Sequence, residues 1–463
     1  MKLTQIAFRN IFRNARRSLM TVLAIAVSAI SILIFGGYVS AIIYGMQTDS
    51  VQKTGHLHLY RKGYFDYGAG NPGAYGISRY GQLIQMILQD PLLKEHVLIA
   101  TPIVKLYGIV GNFSADVSKT FFGIGFVPSD FEKMSKWNDY GMSRSFETKI
   151  ELSDADTEGG IIGEGLARIL LLCDELKVTH CREKPPDKTE GMPVTEDFRA
   201  LTEAETQIRM PENNDLRPRL DLLAATAGGA PNVVSLYVHQ AENKGVKELD
   251  DNYVAMHILL AQRLLYGNGE KKATGIILQL RHTRDIPFVR ACLLQMISEN
   301  DLDLDVKDFT QMVPLYNQVI SMFATIFTFL AIIMGIIVLF TITNTMTMSV
   351  MERVNEIGTI RALGIRRGGI LRLFITEGCI LGILGTSLGT AASVLIAFAI
   401  NASGITWIPP NYVEPVLLTI LLFENSILIP ICWVALVLLA IISSLIPARK
   451  AGRMVIVDAL RHV

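Results

Sequence analysis

Four stretches of this chain are continuous apolar runs, too long for the helices of a soluble core. The first is Leu19–Met46, LMTVLAIAVSAISILIFGGYVSAIIYGM. A bilayer-spanning helix needs about 20 such residues. Three more runs follow late in the chain, at 318–349, 373–402 and 426–447. The last contains Pro430, which a spanning helix tolerates when its neighbours satisfy the freed carbonyl. Between the first and second runs the pattern changes period. Alternating or β-branched segments predict strands at His56–Tyr60, Leu98–Asn112, Lys119–Phe126, Asn232–His239 and Thr274–Leu280. Three-to-four spacing predicts helices at Gly81–Leu88, Asp251–Tyr266 and Ile286–Glu299. The expected fold class is an α-helical membrane domain of four transmembrane helices, arranged one plus three. A large mixed α/β extracytoplasmic domain, 47–317, is inserted after the first helix. Within it the more polar, turn-rich stretch 128–230 reads as an inserted subdomain.

Composition supports the membrane class. The chain is 50% hydrophobic and its mean hydropathy is positive, which soluble domains rarely reach. Formal charge is zero, but Gln47 to Ser349 holds 29 Lys+Arg against 37 Asp+Glu, so the flanks are correspondingly basic. An acidic middle argues against nucleic acid as a partner. The basic residues also set the sides. Lys2, Arg9, Arg13, Arg16 and Arg17 precede the first run. Arg353, Arg361, Arg366, Arg367 and Arg372 lie near or within the loop 350–372, and Arg449, Lys450, Arg453 and Arg461 in the tail 448–463. The loop 403–425 has no Lys or Arg. The positive-inside rule then places both termini and the 350–372 loop in the cytoplasm, and 47–317 and 403–425 outside. The segment 1–18 becomes a cytoplasmic amphipathic N-terminus. Cleavage after Ala24-Ile25-Ala26 would strand an apolar stretch, so a signal-anchor helix fits better than a signal peptide.

Candidate chemistry is sparse. Cys173, Cys181 and Cys292 fall in the outside domain, where an oxidising compartment would permit a Cys173–Cys181 disulfide; buried free thiols are the alternative. No Cys/His metal spacing occurs. His56 and His58 would share one strand face, and surface or strand-pairing roles outweigh a metal pair with no third ligand in view. The Tyr64–Tyr80 cluster is rich in Gly and Asn and reads as a loop, with a lid as the alternative. The spans hold few charges, and Glu377 and Glu424 stand at their ends, which disfavours ion-coupled transport. Gly378, Gly382, Gly385 and Gly389 form a small-residue stripe for close helix packing, within the protomer or across a dimer.

The cytoplasmic loop is the richest segment. In Met351–Leu373, Val354, Ile357, Ile360 and Leu363 recur in steps of three and make an apolar face. Glu352, Arg353, Glu356 and Arg361 make a charged one, and Gly364 a stop. Such a helix lies on the membrane or docks into a groove on a cytoplasmic partner. The chain has no GxxxxGK[ST] phosphate loop, so nucleotide energy would come from another subunit.

Three segments resemble the FtsX-like/MacB-type ABC permeases: the opening Ala7–Val22, the loop Glu352–Gly364 with its ERVNEIGTIRALG, and the tail Pro447–Arg453 followed by Asp458–Arg461. Gly55–Gly63, Glu248–Val254 and Ala261–Leu265 are similar to the lipoprotein-releasing (LolC/LolE-like) branch. The resemblance implies a non-catalytic permease subunit of the bacterial inner membrane, with its large domain in the periplasm. It implies a cytoplasmic P-loop ATPase that binds the ATP and Mg, this chain binding no cofactor or metal. A second permease protomer, identical or homologous, membrane lipid and a periplasmic carrier or adaptor complete the implied partners. Glu352, Arg353, Glu356, Ile357, Gly358, Ile360, Arg361, Leu363 and Gly364 would couple to the ATPase. The first and second spans would carry its motion outward by mechanotransmission, to extract or expel a lipoprotein or another amphipathic molecule. A macrolide-efflux-type pump permease and a non-transporting relay to a cell-wall hydrolase are the alternatives. A membrane-anchored enzyme is disfavoured, since no nucleophile or metal set stands out.

Overall fold

The computed structural model describes residues 2–68, 70–142, 151–179, 217–244, 247–408, 415–424 and 427–454. They form two compact units: residues 1–47, 314–407 and 416–463 in one, 48–313 and 408–415 in the other.

The first unit is helical. An amphipathic helix, α1 (Lys2–Arg13), leads into α2 (Ala15–Thr54). Late in the chain come α11 (Pro314–Glu352), the short α12 (Val354–Ala362), α13 (Arg367–Ser403) and α14 (Leu428–Arg453). Among the described residues four helices are long and apolar enough to cross a membrane, namely α2, α11, α13 and α14. Ile25, Leu33, Val338, Ile342, Phe374 and Leu436 lie in their shared core. The glycine stripe of α13 divides between two neighbours inside the chain. A Cβ on Gly378 or Gly382 would meet Ser444 and Ala440 of α14 at 2.6 and 2.7 Å. One on Gly385 or Gly389 would meet Ile25 and the Ala26 carbonyl of α2 at 2.7 and 2.6 Å. Both halves are therefore packed within the protomer. Asn401 fixes the loop after α13 by donating to the Ile420 carbonyl and accepting from the Ile420 amide, at 3.0 and 2.8 Å.

The second unit is built on one sheet of nine strands, in the order β3-β7-β4-β6-β5-β2-β8-β1-β9. The strands are β1 (Leu57–Arg61), β2 (Val97–Asn112), β3 (Val117–Phe126), β4 (Gly159–Gly163), β5 (Arg219–Ala225), β6 (Pro231–Glu242), β7 (Tyr253–His257), β8 (Gly275–Leu280) and β9 (Leu304–Asp308). A further β2–β3 pairing closes six of them into a ring. Helix α8 (Ile258–Tyr266) packs against β2, β3, β5, β6 and β7 of this ring. Its core includes Leu106, Phe121, Leu222, Leu236, Met256 and Leu260. The approach is close enough that a Cβ on Gly125 would stand 2.3 Å from that of Ala261. Strand β2 is 16 residues long. It also pairs with β8, which begins a β8-β1-β9 wing over a separate core with Ile87 of α3 (Tyr80–Gln89) and Leu293 of α9 (Ile286–Glu299).

Two expectations are corrected here. Asp251–Tyr266 is not one helix. Tyr253–His257 pairs in parallel with β3, which buries Val254 and Met256, and the His257 ring then accepts from the Leu259 amide to start α8. The described part of 128–230 is not a separate subdomain, because β4 and β5 are members of the ring. Residues 143–150 and 180–216 lie outside the described residues, and Cys181 with them.

Candidate coupling site

The nine residues expected to couple to an ATPase cluster at the end of α11, in α12 and in the turn after it. They do not behave alike. Val354, Ile357 and Gly358 are buried, and Ile360 is half-buried. Leu363 should continue this apolar face, yet it is 81% exposed, because the helix has ended at Ala362. Gly364 follows with φ +99°, a left-handed conformation that favours glycine, and Ile365 is 42% exposed. The turn thus holds up two apolar side chains.

The charged face also divides. Glu352 is half-exposed and pairs with Arg17 of α2. Arg361 turns back to donate to the Met454 carbonyl after α14. Arg353 corrects the sequence reading: it is only 5% exposed and points inward. It occupies the single-residue break between α11 and α12. Its Nη1 donates to Glu377 Oε1 on α13 at 3.0 Å, its Nε donates to Glu356 at 3.2 Å, and its guanidinium lies over the Phe374 ring. Asn10 of α1 donates to the same Glu377 oxygen at 2.7 Å, and Arg13 donates to Glu356 at 2.8 Å. Two residues of α1 therefore meet two carboxylates on α12 and α13, with Arg353 between them. Hydrogen bonds from Arg13, and then Arg353, hold the Glu356 carboxyl below its ordinary range. A cavity lined by Asn10, Asn14, Arg17, Thr345, Ser349 and Glu377 adjoins this network.

Sequence reasoning missed Glu377, Asn10 and Arg13 as members of the site. The one available signal was Glu377, an acidic residue inside an otherwise apolar run. A carboxylate is rarely buried there without a partner.

The second unit offers less. His56 and His58 are 0% and 3% exposed, so neither is a surface histidine. Burial lowers both to about 3, far below the usual imidazole value. The Tyr64–Tyr80 stretch includes a π-helical turn, Tyr64–Gly68, where Tyr64 stacks on the buried Tyr60 at 4.6 Å. Cys173, at the start of α6 (Cys173–Leu176), is disulfide-bonded, whereas Cys292, Cys379 and Cys432 are free. Among the described residues no group of three or more His, Cys, Asp and Glu could hold a metal ion.

The family described as FtsX-like permease C-terminal matches residues 320–456, from within α11 to the tail. This segment is an FtsX-like permease domain. Curated relatives are similar to this chain at low identity. An uncharacterized ABC transporter permease of Methanocaldococcus jannaschii is 29% identical over 155 residues, 33% of this chain and 38% of the relative. The lipoprotein-releasing system transmembrane protein LolC of Neisseria meningitidis is 24% identical over 175 residues, 38% of this chain and 41% of the relative. The macrolide export ATP-binding/permease protein MacB of Escherichia coli is 27% identical over 188 residues, 40% of this chain and 27% of the relative. The chain spans less than half the length of each.

Proposed function

We propose that this chain is the permease subunit of an ABC transporter, driven by a separate cytoplasmic P-loop ATPase that docks on the turn after α12. The observation that carries this is the pair of exposed apolar side chains, Leu363 and Ile365, raised on the Gly364 turn of an FtsX-like domain. Two apolar side chains on a short projection fit a groove on a partner better than open water. ATP and Mg bind the ATPase, and this chain performs no chemical step. It sits in the bacterial inner membrane with both termini cytoplasmic and residues 47–317 periplasmic, as the basic loops direct. It pairs with a second permease protomer. By mechanotransmission it extracts or expels a lipoprotein or another amphipathic molecule, handed on to a periplasmic carrier or adaptor. The similarity to LolC supports the lipoprotein branch, and the similarity to MacB keeps macrolide efflux as the second reading.

A photo-crosslinking side chain at Leu363, in cells, tests the docking. The expected adduct is a protein with a Walker A sequence, and Ile365→Asp should lose it; an adduct with lipid alone defeats the reading. Depletion of the chain separates the branches: retained lipoproteins in the inner membrane mean release, and macrolide sensitivity alone means efflux.

A further inference from the structure

The break between α11 and α12 is one residue long, and that residue is Arg353. A helix break is a natural hinge, where small changes in φ and ψ turn one segment against the next. A free hinge would absorb any displacement of α12 instead of passing it to α11. This one is not free. Arg353 is held by Glu377 and Phe374 of α13 and by Glu356 of α12, and it is almost wholly buried. Glu377, 4% exposed, is held in turn by Asn10 of α1.

A buried ion pair is a weak source of stability. Both charges lose their water, and apolar side chains of similar volume commonly serve as well or better. What the pair adds is direction: a guanidinium fork and a carboxylate fix an angle that apolar packing leaves loose. We propose that Glu377 is a positioning residue that pins the α11–α12 elbow through Arg353, so that α11 and α12 turn as one lever against α13. Asn10 and Arg13 place α1 in the same linkage, through Glu377 and Glu356 respectively. The inference rests on the coupling reading for its purpose, since a lever needs a push at Leu363. Its geometry can be tested without the ATPase.

The test uses the full-length permease in lipid nanodiscs, with Cys292, Cys379 and Cys432 replaced. Spin labels are placed at Thr359→Cys on α12 and Arg372→Cys on α13, and the distance between them is measured by pulsed electron resonance. The parent should give one narrow peak. Glu377→Gln should lose that single peak, and an unchanged distribution overturns the proposal. If Glu377→Gln does not fold, Arg353→Met/Glu377→Met decides the matter. It should melt no lower than the parent yet keep a broad distribution. A narrow peak from the double variant shows that packing alone sets the elbow, and overturns the proposal. With the ATPase added, Glu377→Gln should still bind it while the ATP-driven change in the label distance is lost. Loss of binding in the parent would instead sink the docking reading, and would leave the label result standing.

Discussion

His58 is buried in β1 with a hydrogen-bond partner on neither ring nitrogen. Its ring stacks against Tyr60, whose buried hydroxyl is also unpartnered, and the Lys105 amine lies over that second ring. His56, by contrast, accepts from the Leu280 amide. Both imidazoles resist protonation in the folded state, with values near 3 against 6.5 when unfolded. Their neutral forms support the fold fully above pH 6.5. That support falls as pH drops from 6.5 towards 3, by about 1.4 kcal/mol per pH unit for each ring. His58→Phe should flatten the acid limb by one such contribution and raise stability at pH 5, read from melts of the full-length protein across pH. The HLH spacing predicted two rings on one strand face, although β1 begins only at Leu57. It could not show burial, because that comes from β1 lying between β8 and β9, whose partner residues are more than 200 positions away. Arg353 was misread for a related reason. Read together with α12 it looks like part of a charged face, but its partner is 24 residues on, across the turn.

At the scale of elements, the long apolar runs were plain in the sequence, since length and hydropathy alone mark them. The glycine stripe was plain too, but not its neighbours. α13 turns its first two glycines to α14 and its last two to α2, so each half has its own test. Gly382→Leu should weaken contact with α14 and Gly389→Leu contact with α2. Each should cost about 1–3 kcal/mol, the usual range for overpacking. Leu395, 70% exposed on the same helix, should accept Ala with little change. Melting temperatures in one detergent check all three, and equal losses at all three positions would contradict the packing described. Strand β7 was the least legible element. Its five residues form a strand because β3 and β4 flank them, and neither neighbour adjoins them in sequence.

For the whole molecule, the expected class rests on hydropathy and the expected sides on Lys and Arg, both being sums over many residues. Single-cysteine labelling tests the sides: Thr359→Cys should react only from the cytoplasm and Asn300→Cys only from outside. Labelling of both from one side would reverse the assignment. The closed ring of strands was not legible, since six pairings must be known together before closure is apparent. Strand β2 gives that ring a consequence for unfolding. Its first half pairs with β8 over one core, and its second half pairs with β3 and β5 around another. Neither core can lose its share of β2 without fraying the other. Residues 48–313 should therefore melt in one cooperative calorimetric step despite their two cores. In hydrogen exchange the amides of Ile103 and Leu106 should open together, with a common free energy.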